Sequence, residues 1–184
     1  MPTPNSTTNP LPSLGLLALA LTLLTYSLGQ TGLVVPPVGS LAAVLLLGGG
    51  LQLLAGLQTR NCYAGAVLLP LGLFWLSLIG FEVLPALGLG RQPHPVTMVA
   101  YLSMWGFFAA ILFLASFRQS RVLQLVFGAL MVCLLLLALG QFRDNPVFLV
   151  SGGICGICSA LAAGYTALAQ LCKHGFGRAI PPLG

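Results

Sequence analysis

Six apolar runs govern what this chain can fold into. They lie at about 14–33, 38–58, 62–84, 95–117, 121–141 and 146–171, most of them near the roughly 20 residues a helix needs to cross a bilayer core. Hydrophobic residues make up 58% of the 184 and charged ones only 5%, against roughly 25% charged in a soluble domain. That leaves too little polar surface to coat a water-soluble fold. The reading is an all-α, polytopic membrane protein with six transmembrane helices. A polar, proline-rich segment at 1–13 precedes the transmembrane domain at 14–171, and a short tail occupies 172–184.

Local chemistry marks the breaks between runs. They are Pro36-Pro37, Thr59-Arg60-Asn61, the stretch from Gly88 to Pro95, Arg118 to Arg121, and Arg143-Asp144. Asn145 before Pro146 has the pattern of an N-cap followed by proline at the first helical position. With the N-terminus inside, Arg60, Arg118, Arg121, Lys173 and Arg178 fall on the inner side, and Arg91 and Arg143 on the outer. That excess predicts that both termini are cytoplasmic, in an inner (cytoplasmic) or plasma membrane. No basic segment precedes the first run, so a cleaved signal peptide is not expected. The net charge of +5 comes from cations scattered singly between apolar runs, which make no stripe for nucleic acid.

Small residues recur at four-residue steps in the last run. Gly152, Gly156, Ala160 and Gly164 form one ridge, and Ser151, Cys155, Ser159 and Ala163 form the next, because residues four apart stack on one helix face. In lipid such ridges let neighbouring backbones approach closely. The last helix is therefore expected to be the central post of the bundle, with the first ridge as its helix-packing positions.

Polar residues inside the runs are few. Leu19, Thr22 and Tyr26 share a face of the first helix, and Gly48, Gln52 and Gly56 a face of the second. Pro70 in the third run leaves the Ala66 carbonyl without its helical donor and should kink the helix. Glu82 is the only carboxylate close to membrane depth. An intramembrane acid is a functional candidate, although near an interface it can equally reach water. His94, between prolines, reads as solvated, and His174, beside Lys173, as cytoplasmic and inert. Ser103, Ser151 and Ser159 read as interhelical hydrogen-bonders.

Chemistry of the catalytic kind is absent from the pattern. Cys155 and Cys158 form a CxxC, but zinc takes about four ligands and neither histidine is spaced to complete a set. Both cysteines read as small packing residues, with no disulfide framework, metal or cofactor implied. No nucleophile–base or phosphate-binding pattern occurs, and Asp144 and Glu82 stand two spans apart. An enzyme is not expected.

Several short motifs follow one another in a telling order. Asn9-Pro10-Leu11-Pro12-Ser13-Leu14-Gly15-Leu16 leads into the first run, and Gln52 with Ala55-Gly56 stands in the second. Phe74-Trp75-Leu76 and Trp105-Gly106 lie in the third and fourth, and Arg121-Val122-Leu123-Gln124 opens the fifth. Tyr165, Phe176-Gly177-Arg178 and Pro182-Leu183-Gly184 come at the end. In these motifs the chain resembles the acetate uptake transporter family, the succinate–acetate permeases of bacteria and their fungal relatives. The resemblance implies a six-helix protomer with a central pore, assembled as a homohexamer in membrane lipid, with acetate as substrate. It also implies a hydrophobic constriction, which in the family combines an aromatic, a tyrosine and a leucine and falls here on Leu19, Leu71 and Leu130. Only Leu130 keeps the family residue, and Pro70 stands where a small polar residue is usual. Asn9, Thr22, Tyr26, Gln52 and Tyr165 are the candidate substrate-binding or pore-lining residues.

A carboxylate crossing a ring of leucines loses its water, and no Lys or Arg lies at mid-membrane to replace it. Burying an uncompensated charge is very costly. The acid is therefore expected to cross protonated or with a proton, its polar end held by Thr22, Gln52 or Tyr26. The expected function is a transporter or channel for acetate and related short carboxylates, with succinate a candidate. The alternative is a passive channel for small neutral solutes, which an all-leucine ring would serve equally. A membrane scaffold fits less well, because it needs no polar faces on the first two helices.

Overall fold

The six runs become six helices in a computed structural model of the chain, which describes residues 11–176 and the side chains of 12–172. They are α1 (Leu11–Thr31), α2 (Val38–Gln58), α3 (Cys62–Ala86), α4 (Pro95–Ser116), α5 (Arg121–Arg143) and α6 (Pro146–Phe176). All six are long and apolar enough to cross a membrane. The protein is an integral membrane protein of all-α architecture.

Helix ends follow the chemistry of the breaks. Asn61 Oδ1 accepts from the backbone N–H of Tyr63 at 3.0 Å and of Ala64 at 3.4 Å, and Ser120 Oγ accepts from Leu123 at 3.3 Å. Asn145 Oδ1 accepts from Val147 at 2.9 Å, with Pro146 at the one position where a missing N–H costs nothing. His94 is more than a solvated loop residue, since its Nδ1 accepts from the Val96 N–H at 3.3 Å and caps α4. α1 stops at Thr31, two residues short of the sequence-based bound, because Gly32 takes a left-handed φ of 71°.

Packing runs in a ring: α3 on α2, α2 on α1, α1 on α6, α6 on α5, α5 on α4. Aromatic side chains close it, with Phe74 of α3 stacked on Tyr101 of α4 at 5.9 Å between centroids. α6 is thus one stave between α1 and α5, where the sequence suggested a post shared by all. Its small residues explain why. A Cβ built on Gly153 would lie 2.8 Å from the Ser27 carbonyl of α1, and one on Gly152 would lie 3.1 Å from the Cys133 carbonyl of α5. A Cβ on Gly156, one turn further along, would meet both neighbours, the Ser27 hydroxyl of α1 and Cys133 Sγ of α5.

α2 shows how lipid inverts the usual helix pattern. Its buried face is Leu45, Gly48, Gly49, Gln52, Ala55 and Gly56, while Leu46, Leu47, Leu51, Leu54 and Leu57 are exposed. In water the leucines would turn inward. In a bilayer the tails solvate leucine, and close backbone packing decides which face goes inside.

α3 carries the one π turn among the described residues. It is α-helical over Cys62–Leu78, turns π over Ile79–Val83, and ends with a single α turn at Leu84–Ala86. The sequence placed the irregularity at Pro70, which sits inside the α-helical part, about two and a half turns earlier. The stronger cause is Pro85. It has no N–H to give, and in a regular helix its ring would crowd the Phe81 carbonyl. The helix widens instead, and the Leu84 N–H reaches back to the Ile79 carbonyl. Buried positions then step from Leu78 to Val83. A step of four would have driven Glu82 into the core.

Candidate functional site

The three leucines of the expected constriction come from α1, α3 and α5. Leu19, Leu71 and Leu130 are each at most 2% exposed and belong to the same apolar cluster. Nothing polar on these side chains replaces the water of a passing solute.

One turn along α1, Thr22 meets α2. Its hydroxyl donates to the Ala18 carbonyl at 2.7 Å, and a Cβ on Gly48 would collide with it. Gln52, fully buried one turn along α2, donates from Nε2 to the Gly48 carbonyl at 3.2 Å. Gly48 therefore gathers two of the candidate residues at one point. The Gln52 Oε1 atom is buried with no hydrogen-bond partner among the described residues. Buried polar atoms are nearly always bonded, so this acceptor is open to a donor.

Tyr26 turns to a different neighbour. It is buried, and its hydroxyl donates to Glu82 Oε1 at 2.8 Å across the α1–α3 interface. The face that the spacing gave to Leu19, Thr22 and Tyr26 is thus shared between α2 and α3. Trp75 stands edge-on to Tyr26, with centroids 5.8 Å apart, and its Nε1 is a buried donor without a partner among the described residues. So is the Ser27 hydroxyl. On the α4 side, the Tyr101 hydroxyl donates to the Phe74 carbonyl at 2.9 Å and lies 2.7 Å from Ser77 Oγ.

The remaining candidates are dispersed. Gly152, Gly156 and Ala160 are buried and Gly164 half-buried. A Cβ on Gly156 would collide with the Ser27 hydroxyl, while one on Gly164 would find only Ala20 Cβ, at 3.6 Å. Tyr165 is half-buried beside Gly164, and Asn9 lies outside the described residues. Ser159 donates across to the Val126 carbonyl of α5 at 2.7 Å. Ser151 instead donates within α6, to the Val147 carbonyl at 2.8 Å, because Val147 sits one turn back on the same face.

The profile of the GPR1/FUN34/yaaH family matches residues 1–178. The chain belongs to that family. It is 32% identical over 179 residues to the succinate-acetate/proton symporter SatP of Escherichia coli, covering 96% of this chain and 95% of that one. Acetate permease A of Emericella nidulans is 31% identical over 183 residues, across 89% of this chain and 61% of the fungal one. Among solved structures, the bacterial acetate channel SatP superposes with a TM-score of 0.88 at 31% identity, covering 96% of this chain and 99% of the other. The resemblance read from the motifs is borne out, and so is the six-helix fold. These family relatives are named as transporters or channels.

Within the family fold, the sequence reading missed Trp75 and Ser27 as orphaned polar groups and missed the partner of Glu82. Signals for the last were present: Pro85 sits three residues beyond Glu82, and Gly80 two before it. A proline at that place forces local rearrangement, and π turns recur at functional positions.

Proposed function

We propose that this protein carries acetate and related short carboxylic acids across a membrane, passing them through the ring of Leu19, Leu71 and Leu130 as the protonated acid or with an accompanying proton. The observation that carries the reading is the ring's chemistry. All three leucines are buried, and Lys or Arg occurs in the spans only at Arg121 and Arg143, the two ends of α5. A bare carboxylate would cross that ring with neither water nor a counter-ion, at prohibitive cost. The substrate class rests on the names of the relatives, a succinate-acetate/proton symporter and acetate permease A. Thr22, Gln52, Tyr26 and Tyr165, with Asn9, are the residues assigned to substrate contact.

The same reading assigns the transmembrane domain to 14–171, places both termini in the cytoplasm, puts the chain in an inner or plasma membrane and assembles six copies in lipid. The exposed leucines of α2 and Met104, Phe107, Ile111 and Leu114 of α4 are surfaces for lipid or for neighbouring copies. No catalytic step is assigned.

Labelled acetate flux into liposomes holding the purified protein tests the function. Flux should rise steeply as external pH falls toward the carboxyl range, roughly 4 to 5 by analogy with Glu, where neutral acid grows about tenfold per unit. Leu71→Tyr should return a hydroxyl to the ring and favour acetate over neutral solutes of similar size. Acetate flux independent of pH, after free diffusion of the acid is subtracted, overturns the reading in favour of a passive channel for neutral solutes.

A further inference from the structure

Glu82 is the only carboxylate within the six spans, and it has no counter-ion among the described residues. The Tyr26 hydroxyl donates to its Oε1 at 2.8 Å, and its Oε2 makes no hydrogen bond among the described residues. The groups that act on this pair are the Tyr101 hydroxyl from α4 and the Cys133 thiol from α5, and neither is a cation. α2, which also packs on the π turn, carries no titratable side chain. Trp75, whose ring stands edge-on to Tyr26, has an N–H without a partner among the described residues. The π turn holds Glu82 half-buried at the margin of the core while Val83 fills the core position. Tyr26 is seven residues beyond Leu19, about 10 Å along the helix axis.

We propose that Tyr26 and Glu82 form a carboxyl-selecting site on the Thr31 side of the leucine ring, which takes a short monocarboxylic acid together with its proton and turns away the free carboxylate. The proposal rests on the transport reading above and names the residues that enforce it. An incoming acid donates its O–H to the open Oε2 of ionised Glu82. No covalent bond is made or broken, and the proton stays between two carboxyl oxygens. An ionised substrate would set two carboxylates side by side without a cation, which is strongly unfavourable. Tyr26 keeps one Glu82 oxygen occupied and so fixes the carboxyl group with its other oxygen turned to the substrate.

Acetate flux into liposomes, with methanesulfonate as an always-ionised competitor of similar size, tests the site. Glu82→Gln should raise the half-saturating acetate concentration at neutral pH about tenfold, because a hydrogen bond to a charged acceptor becomes one to a neutral acceptor. Its half-saturation should also lose pH dependence, and methanesulfonate, inert toward the natural protein, should become an inhibitor, since the amide can donate to an anion. Tyr26→Phe should raise half-saturation about threefold, a smaller loss because the carboxylate remains, and should keep methanesulfonate excluded. A merely structural pair would lower maximal flux at unchanged half-saturation in both variants, and that outcome overturns the site. If Glu82→Gln fails to assemble, Tyr26→Phe decides alone, and unchanged half-saturation overturns the proposal. Acetate flux through the natural protein no faster than through protein-free liposomes overturns the transport reading itself. Normal flux with unaffected variants removes only this site.

Discussion

The seam between α2 and α3 and the seam between α3 and α4 are built from opposite materials. At the first, a Cβ on Gly72 would lie 2.8 Å from the Gly49 carbonyl and 3.0 Å from the Leu53 nitrogen, and a Cβ on Gly49 would lie 3.0 Å from the Gly72 carbonyl. Backbone meets backbone there. At the second, rings keep the helices apart. Phe74 lies 5.3 Å from Trp105 and Phe81 lies 4.6 Å from Tyr101, between centroids, and the Tyr101 hydroxyl reaches the Phe74 carbonyl. A glycine contact involves no side chain that can move aside, whereas an aromatic contact is a set of rotamers with several arrangements of similar energy. One helix, α3, thus has a fixed face and an adjustable face, and Glu82 lies on its π turn between them.

The difference is most sharply tested by overfilling the fixed seam. Gly72→Leu puts a branched side chain against two main-chain atoms that cannot rotate away, and should cost about 3 kcal/mol or more. Thermal unfolding in detergent and the elution position of the assembled protein would report it as loss of both. Gly50→Ala, one residue beyond Gly49 but with nothing within 4 Å of a built Cβ, should leave both intact. Equal tolerance of the two would mean that α2 and α3 are not held by backbone contact.

Gly156→Ala distinguishes a side-chain obstacle from a main-chain one. The atoms in the way are the Ser27 hydroxyl, with Cys133 Sγ and Ser27 Cβ both at 3.0 Å, so the site can yield in part. An intermediate loss of about 2 kcal/mol is expected. Adding Ser27→Ala should recover a measurable share by removing the hydroxyl, and no comparable partner change exists for Gly72→Leu. Lack of any recovery in the double variant would show that the α1–α6 seam is as unyielding as the α2–α3 one.

How much of this was legible in the sequence differs between the seams. The spans were readable because lipid imposes a length on every helix, and the breaks carried their caps openly, as at Asn145-Pro146. The ridge of α6 was readable as small residues at four-residue steps, but not how its faces are divided between α1 and α5, since periodicity gives a face and not a neighbour. Likewise Thr22 and Tyr26 share a helix face yet serve different partners, Gly48 and Glu82. Pro70 drew attention as the proline of mid-span, while Pro85 sits beside the larger irregularity near the helix end. The candidate site was only partly visible for the same reason. Its polar atoms come from α1, α2 and α3, and their meeting depends on helix order, which no single run encodes.

On the adjustable seam, effects should be smaller and graded. Phe74→Leu removes contacts to Trp75, Tyr101 and Trp105 without opening a main-chain clash, and a cost of about 1.5 kcal/mol is expected from the lost ring pairing. Melting temperature should fall while assembly persists. Loss of assembly as complete as in Gly72→Leu would erase the distinction between the two seams.

The smallest expected effect separates two serines of one helix. Ser159 donates to the Val126 carbonyl of α5, a partner 33 residues away in sequence, whereas Ser151 donates to Val147 of its own helix. Removing the first takes away a bond between helices, worth about 0.6 kcal/mol on average inside a membrane. Removing the second takes away a bond that any helical segment can form before the bundle assembles, so folded and unfolded states lose it alike. Ser159→Ala should therefore lower the thermal midpoint slightly and reproducibly, and Ser151→Ala should not. A reversed order would place the closer α5–α6 contact at the Ser151 end of α6.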